Sequence, residues 1–294
     1  MRVLEKRLQV WLITTDHLTD RIWFRDDEDF KVGMNLVAVL ACCFQVDVLS
    51  FILMSTHVHF VLACSNGQAK RFIDEFKRRY AQHMRKKYGI KEFLRENDVD
   101  IRPLEGMQES QEWGIAYVQM NSVAANICLS PTNYPWGTGN AFFKASPPRG
   151  RRLDSFSGRA RRRLLHSEQE LPPHLLVGED GYVLPESYVQ VERVETLFRT
   201  PKRMDYFLRN SSKAKRRLAS AGSETPSFRD QVVQSAIPDL CHTLFQKRIL
   251  DELTREEQSE LLRQLRFRFS SYPHQLARVT GLSYERVATL LDAF

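Results

Sequence analysis

Two apolar stretches rich in β-branched and aromatic residues, 46–54 and 57–63, are separated only by Ser55 and Thr56. Each stretch has the length and composition of a strand, and a two-residue connection is typical of neighbouring antiparallel strands. The pair therefore predicts a β-hairpin. This hairpin constrains the fold more than any other feature, because the segments on either side of it must cover its faces.

The segments around the hairpin supply the remaining elements of a domain. Residues 24–44 begin with an acidic turn and continue with apolar residues at helical spacing, and residues 68–88 form a second amphipathic stretch. Residues 7–15 and 99–104 have strand character, and residues 109–129 predict a third helix. The order predicts an α+β domain: a ferredoxin-like antiparallel sheet with helices on one face.

Two segments rich in Pro, Gly and Ser divide the rest of the chain, at 146–158 and 220–227. We accordingly predict a first domain over residues 1–145, a basic linker and mixed middle region over 146–225, and an all-α domain over 226–294.

The last domain ends with two helical stretches, 275–280 and 284–294, joined by Gly281-Leu282-Ser283. This is the spacing of a helix-turn-helix motif, which many DNA-binding proteins use. Any αα-hairpin has similar spacing, so the pattern alone leaves both interpretations open.

Basic residues are concentrated in a chain of net charge +7. The segment from Lys70 to Lys91 contains nine Lys/Arg and two acidic residues. The segment from Arg149 to Arg163 contains seven and one, and that from Arg199 to Arg217 contains eight and one. Such segregation suits phosphate binding, although each run also fits a solvated helix face. No long apolar stretch or signal-peptide pattern is present, and the five cysteines show no CxxC spacing, so we expect a cytoplasmic protein without a membrane partner.

The sequence His57-Val58-His59 lies on a predicted strand. Side chains alternate along a strand, so the two imidazoles point the same way and can chelate one divalent metal ion. An HxH pair alone is not specific, because packed or surface histidines share this spacing.

On the third predicted helix, Tyr117 and Asn121 are four residues apart and share a face. A tyrosine can act as a nucleophile toward phosphate, and an amide oxygen one turn away can complete a metal site. On spacing alone, a core tyrosine and a surface asparagine are the commoner explanation.

Four ordered motifs connect these residues: FRDDEDF at 24–30, FILMSTHVHFVL at 51–62, the basic helix FIDEFKRRYAQHMRKKYG at 72–89, and AYVQMNSVAANICLSPTNYPWGTG at 116–139. Together they resemble the single-tyrosine HUH transposases, especially the REP-associated tyrosine transposase branch, over about residues 8–143. Three departures from the family pattern leave the catalytic residue types in place: Ser55-Thr56, Ser122 and Gly137-Thr138.

The resemblance implies a role for each matching residue. It implies that His57 and His59 bind Mg²⁺ or Mn²⁺, that Asn121 is the third ligand, and that Tyr117 is the nucleophile. It further implies cleavage and rejoining of single-stranded DNA beside a hairpin, through a 5′-phosphotyrosine intermediate, by a bacterial monomer or homodimer. We expect basic residues of the second helix to hold the DNA backbone. They are Lys70, Lys77, Arg78, Arg79, Arg85 and Lys86.

Two other interpretations remain. The chain can be a domesticated DNA-binding protein that no longer cleaves and that uses its helix-turn-helix-like tail and basic runs. It can also be a metal hydrolase in which His57 and His59 activate water, which leaves Tyr117 and Asn121 without a role.

Overall fold

The computed structural model of the protein describes residues 8–15, 22–91, 94, 97–104, 108–212, 228–269 and 271–292. The N-terminal part is an α+β unit, in which a short helix, α4, follows α3 directly. In chain order its elements are β1 (Val10–Thr15), α1 (Asp27–Phe44), β2 (Asp47–Met54), β3 (His57–Ala63), α2 (Asn66–Tyr88), β4 (Val99–Pro103), α3 (Gln108–Gln119) and α4 (Asn121–Ala124).

Local sequence signals account for the limits of the two long helices. Asp26 caps α1, because its side chain accepts a hydrogen bond from the Asp29 backbone amide. Ser65 and Gln68 form a capping box at the start of α2, and Gly89, at φ 70°, ends it. The predicted helices at 24–44 and 68–88 are therefore confirmed, with small shifts at their first residues.

The four strands pair in the order β2-β3-β1-β4, and all neighbours are antiparallel. This is the order of the split β-α-β arrangement. Phe60 of β3 packs edge-on against Phe72 and Phe76 of α2, at ring-centroid distances of 5.2 and 5.5 Å. The adjacent residue, His59, contacts Tyr117 of α3. Since neighbouring strand residues face opposite sides, α2 and α3 lie on opposite faces of the sheet.

The prediction that the helices share one face is therefore wrong for α3. Strand β3 is buried along its whole length, so its two faces both need cover. α1 packs against α2 over one face, and α3 packs against β2 and β3 over the other. The fully buried side chains of Ile115, Ala116 and Val118 lie on α3.

The turn-rich segment 134–138 closes the outer edge of β2. Leu53 N donates to Trp136 O at 2.8 Å, and Thr138 N donates to Phe51 O at 3.0 Å. Between them, Gly137 approaches so closely that a Cβ atom there would lie 2.6 Å from Phe51 O. This part of the motif therefore has a structural role in completing the sheet.

The middle segment packs onto the N-terminal unit. α5 contacts α1, and α6 and α7 contact α3. Part of the predicted linker at 146–158 is thus ordered, whereas the second predicted linker, 220–227, lies outside the described residues. The elements are β5 (Arg151–Arg152), α5 (Gly158–Leu165), β6 (Leu176–Val177), α6 (Val191–Phe198) and α7 (Pro201–Asn210).

The C-terminal segment is helical and has its own apolar cluster. Gly281, at φ 73°, ends α10 before the turn that leads into α11, so the predicted pair of helices with a tight turn is confirmed. None of the helices in the described ranges is long and apolar enough to cross a membrane. The elements are α8 (Asp230–Phe245), α9 (Arg255–Phe269), α10 (Pro273–Thr280) and α11 (Tyr284–Asp292).

Candidate functional site

The two histidines of the HxH motif lie side by side on β3. Both are buried, and their ring centroids are 4.7 Å apart with the planes at 87°. Strand pairing fixes their backbone, since His59 lies opposite Thr14 of β1 and Ile52 of β2. The hydroxyl oxygen of Thr56 lies 3.0 Å from His57 Nδ1, which orients that ring. A rigid strand thus presents two imidazoles with the proximity that two ligands of one metal ion need.

Tyr117 projects from α3 toward these histidines. Its ring centroid is 5.6 Å from that of His59, and the two planes are nearly perpendicular, at 88°. The side chain is half-buried, in contrast to the fully buried Val118 beside it. The structure therefore brings Tyr117 of α3 to the His57–His59 pair of β3.

Helix α7 packs against α3. Glu112, which is fully buried, accepts hydrogen bonds from Arg203 Nε at 2.8 Å and Nη2 at 3.1 Å. One residue further on, Trp113 packs against Phe207 with ring centroids 4.6 Å apart. These contacts fix the rotation of α3 about its axis, and hence the direction in which Tyr117 projects. The sequence gives no local signal for them, because the partners are far apart along the chain.

The helix that carries Tyr117 is interrupted just before Asn121. α3 ends at Gln119, and Met120 leaves the helical conformation at ψ 1°. Asn121 Nδ2 donates to the carbonyl oxygens of Tyr117 at 2.9 Å and Val118 at 3.1 Å, so the amide satisfies the last carbonyls of the helix. The predicted single helix over 109–129 is therefore wrong, and Asn121 contacts the main chain of α3 at Tyr117.

A divalent metal ion at the histidine pair would need ligands beyond the two imidazoles. Within the described ranges, no group of three or more His, Cys, Asp or Glu side chains is arranged to hold a metal. An ion on His57 and His59 would therefore need oxygen ligands of another type. Asn121 can offer only Oδ1, since its Nδ2 donates to the backbone. A donor set of two imidazoles with oxygens suits Mn²⁺ better than Mg²⁺, which prefers oxygen alone.

Tyr117 lines an open cleft of about 600 Å³, which we call the tyrosine cleft. It is bounded by α3, β1, β4 and the end of α7. Thr14 faces it from β1, on the same side of the sheet as its partner His59. Trp113, one helical turn before Tyr117, presents a second aromatic ring to the cleft.

Among the described residues that line the tyrosine cleft, Arg102 of β4 is the only cation. Its side chain lines the cleft, is 74% exposed and forms an ion pair with Asp100. Arg102 and Trp113 were not among the predicted site residues. The strand pattern of residues 99–104 places the Arg102 side chain on one face of a strand. Only the pairing of β4 with β1 shows which face of the sheet this is.

The six residues predicted to bind DNA lie on α2, on the sheet face opposite to Tyr117. Near the two ends of the helix, Lys70, Arg85 and Lys86 are exposed. Lys77 is partly buried, which lowers its pKa, and its Nζ donates to the backbone carbonyl of Asn97.

Arg78 and Arg79 complete this set, and they share one acidic partner. Their Nε atoms are both 2.6 Å from oxygens of Glu75. Hydrogen bonds from Arg78, and then from Arg79, outweigh burial and lower the pKa of Glu75 to about 2. Glu75 therefore stays ionised and partly neutralises this part of α2.

The helix pair α10–α11 has the predicted shape but little positive charge. α11 carries Glu285 and Asp292 against Arg286, and the guanidinium of Arg286 donates to Gln258 Oε1 of α9 at 3.0 Å. A helix with this charge is poorly suited to phosphate contacts. The helix-turn-helix interpretation of the tail stays a prediction.

No protein-family model matches the chain, and no curated protein matches it. A solved structure of a REP-associated tyrosine transposase bound to a REP hairpin is similar to it, at 10% sequence identity and a TM-score of 0.35. The match covers 48% of this chain and 82% of that one. The likeness is distant, and the function must therefore be argued from the site itself.

Proposed function

We propose that the protein cleaves and rejoins single-stranded DNA, with Tyr117 as the nucleophile and a divalent metal held by His57 and His59. The observation that carries the proposal is the direct ring contact of Tyr117 with His59, beside His57, at the edge of an open cleft. A phenol oxygen beside a metal-binding pair is the arrangement that nucleophilic attack on a phosphodiester needs.

In the proposed reaction, the two histidines hold the metal and Tyr117 attacks the phosphate. When bound, the metal would draw charge from a non-bridging phosphate oxygen. The Tyr117 oxygen attacks phosphorus, the bond from phosphorus to the 3′-oxygen breaks, and the phenol proton passes by way of solvent to the leaving 3′-oxygen. A 5′-phosphotyrosine and a 3′-hydroxyl result. Attack by a 3′-hydroxyl reverses the step, so rejoining needs no further energy source.

The tyrosine cleft supports a single-stranded substrate. Trp113 and Tyr117 present aromatic rings on which unpaired bases can stack, and exposed Arg102 can contact a phosphate. Asn121 Oδ1 is proposed as a further metal ligand. The proposal includes a DNA hairpin beside the cut. It also includes a protein that acts as a monomer or a homodimer.

Tyr117→Phe tests the nucleophile. A labelled hairpin oligonucleotide with a single-stranded flank is incubated with Mn²⁺ and the purified chain, and denaturing gels measure the covalent adduct. We expect wild-type protein to form the adduct and Tyr117→Phe to form none, because the attacking oxygen is missing. Tyr206→Phe, an exposed tyrosine of α7, is the matched control.

Three other outcomes would overturn the proposal. Adduct in the Tyr117→Phe variant would remove Tyr117 from the role. Cleavage by the wild type without any adduct would favour the metal hydrolase. Tight hairpin binding by the wild type with no cleavage under any metal would favour the non-cleaving DNA-binding protein.

A further inference from the structure

A cleft with a different chemistry lies on the other side of the molecule. It has a volume of about 1020 Å³ and lies between α2, the first half of α1, and α5 with the turn that follows it. We call it the basic cleft. Six of its lining residues are cationic, from two segments far apart in the sequence. They are Arg78, Arg79, Lys86, Lys87, Arg162 and Arg163.

Packing fixes α5 at the wall of this cleft. Asn35 of α1 donates to the backbone carbonyl of Leu164 at 3.0 Å and accepts a hydrogen bond from Val183 N at 2.8 Å. Leu165, which is 3% exposed, joins an apolar cluster with Ala38 of α1. The arginines beside it are therefore carried by a docked helix, and they face those of α2 across the cleft.

The charge in the basic cleft is only partly neutralised. Lys87 is bonded to Asp26 and Asp29, and Arg78 and Arg79 are bonded to Glu75. Two carboxylates, Glu28 and Glu168, also line the cleft. No carboxylate in the described part of the chain, however, lies within ion-pair distance of Lys86, Arg162 or Arg163. Anion binding costs little free energy for exposed cations without a carboxylate partner, because no existing ion pair has to be broken.

The lining also indicates which anion fits. No tryptophan, tyrosine or phenylalanine is among the described residues that line the basic cleft. Proteins that hold single strands generally stack the bases on aromatic rings, whereas a double helix hides its bases and offers rows of phosphates. Several cations on two facing helices match such rows. The tyrosine cleft, with Trp113 and Tyr117, has the opposite character.

We propose that the basic cleft binds the phosphate backbone of a double-helical DNA segment separate from the strand that Tyr117 attacks. The inference rests on the proposed function, since it names a second DNA segment for the same protein. The sheet and the α1–α2 layer lie between the two clefts, so the chain has one DNA site on each face. The protein then holds two segments at once.

Equilibrium binding of a blunt 20-base-pair DNA duplex to the full chain, followed by fluorescence anisotropy at several salt concentrations, tests this inference. In the double variant Arg162→Ala with Arg163→Ala, we expect the Kd to rise by about tenfold and the slope of log K against log salt to fall by about two, because two phosphate contacts are lost. Arg162→Lys with Arg163→Lys should recover part of the affinity, which shows that the variants fold.

The matched control is Arg266→Ala with Arg268→Ala, which removes the same charge from two exposed positions on α9. It is expected to bind the duplex within about twofold of wild type. Equal losses in the two double variants, or an unchanged Kd in the first, would overturn the assignment to the basic cleft. Tighter binding of an RNA duplex of the same length would overturn the choice of DNA. Because the assay involves no cleavage, its failure is distinguishable from a failure of adduct formation at Tyr117.

Discussion

Two clefts of contrasting composition lie on opposite sides of the sheet. The tyrosine cleft has two aromatic rings and exposed Arg102 beside a buried histidine pair, whereas the described lining of the basic cleft has six cations, two carboxylates and no tryptophan, tyrosine or phenylalanine. Chemistry on a phosphate needs a few groups held precisely, while affinity for a polyanion grows with the number of exposed cations. Under the proposed function, the basic runs would hold nucleic acid, and the residues proposed to react would lie on the other side of the sheet.

Among substitutions that leave Tyr117 in place, the largest effect on cleavage should come from the histidine pair. His59→Ala removes one of two imidazoles, and we expect cleavage to fall by roughly three orders of magnitude, as several kcal/mol of charge stabilisation are lost. Single-turnover cleavage of the labelled oligonucleotide measures it. His174→Ala, at an exposed position of the middle segment, should cleave normally. A normal cleavage rate in His59→Ala would show that the histidine pair takes no part in cleavage, and the proposed difference between the two clefts would then be wrong.

Metal dependence follows from the same donor set. EDTA should abolish cleavage, and Mn²⁺ should restore a rate about tenfold above that with Mg²⁺ at equal concentration, because imidazole nitrogens favour Mn²⁺. Duplex binding should not respond to EDTA, since the basic cleft uses side-chain cations. A greater rate with Mg²⁺ would contradict the ligand assignment.

Arg102 should matter for the rate and not for duplex affinity. We expect Arg102→Ala to lower single-turnover cleavage by about tenfold, because one cation near the reacting phosphate is lost, and Arg102→Lys to retain part of the rate. The Kd for the blunt duplex serves as the internal control and should not change. A parallel loss of duplex affinity would mean that the two clefts bind one continuous DNA.

The smallest effect is expected at the contact between α3 and α7. Arg203→Ala leaves the fully buried Glu112 carboxylate without its partner, so the melting temperature should fall and cleavage should slow by a few-fold as Tyr117 loses its fixed direction. Arg209→Ala, which breaks an exposed pair with Asp205 on the same helix, is the matched control and should change neither quantity.

Much of the N-terminal fold was predictable because its signals are local. The Ser55-Thr56 connection, the Asp26 cap and the Ser65 capping box each fix an element limit within a few residues. The strand alternation placed His57 and His59 on one side of β3 before any partner was known.

What the sequence did not predict depends on contacts between distant segments. The full burial of β3 on both faces places α3 opposite to α2, so the basic helix lies away from Tyr117. The break at Met120 coincides with hydrogen bonds from the Asn121 side chain to the backbone carbonyls of Tyr117 and Val118. The docking of α5 depends on Asn35, which is more than a hundred residues away along the chain.

The segment 134–138 along β2 also determines how copies of this chain can meet. An uncovered strand edge invites another strand to pair with it and so promotes aggregation. Here the amide of Leu53 and the carbonyl of Phe51 already have partners, and Val48 O accepts a hydrogen bond from Gln190 N. The opposite edge strand, β4, is short and carries Asp100, Arg102 and Pro103, which all disfavour strand addition. Strand addition is thereby blocked at these positions of β2 and disfavoured at β4, so we expect two copies of the chain to associate through helices and side chains.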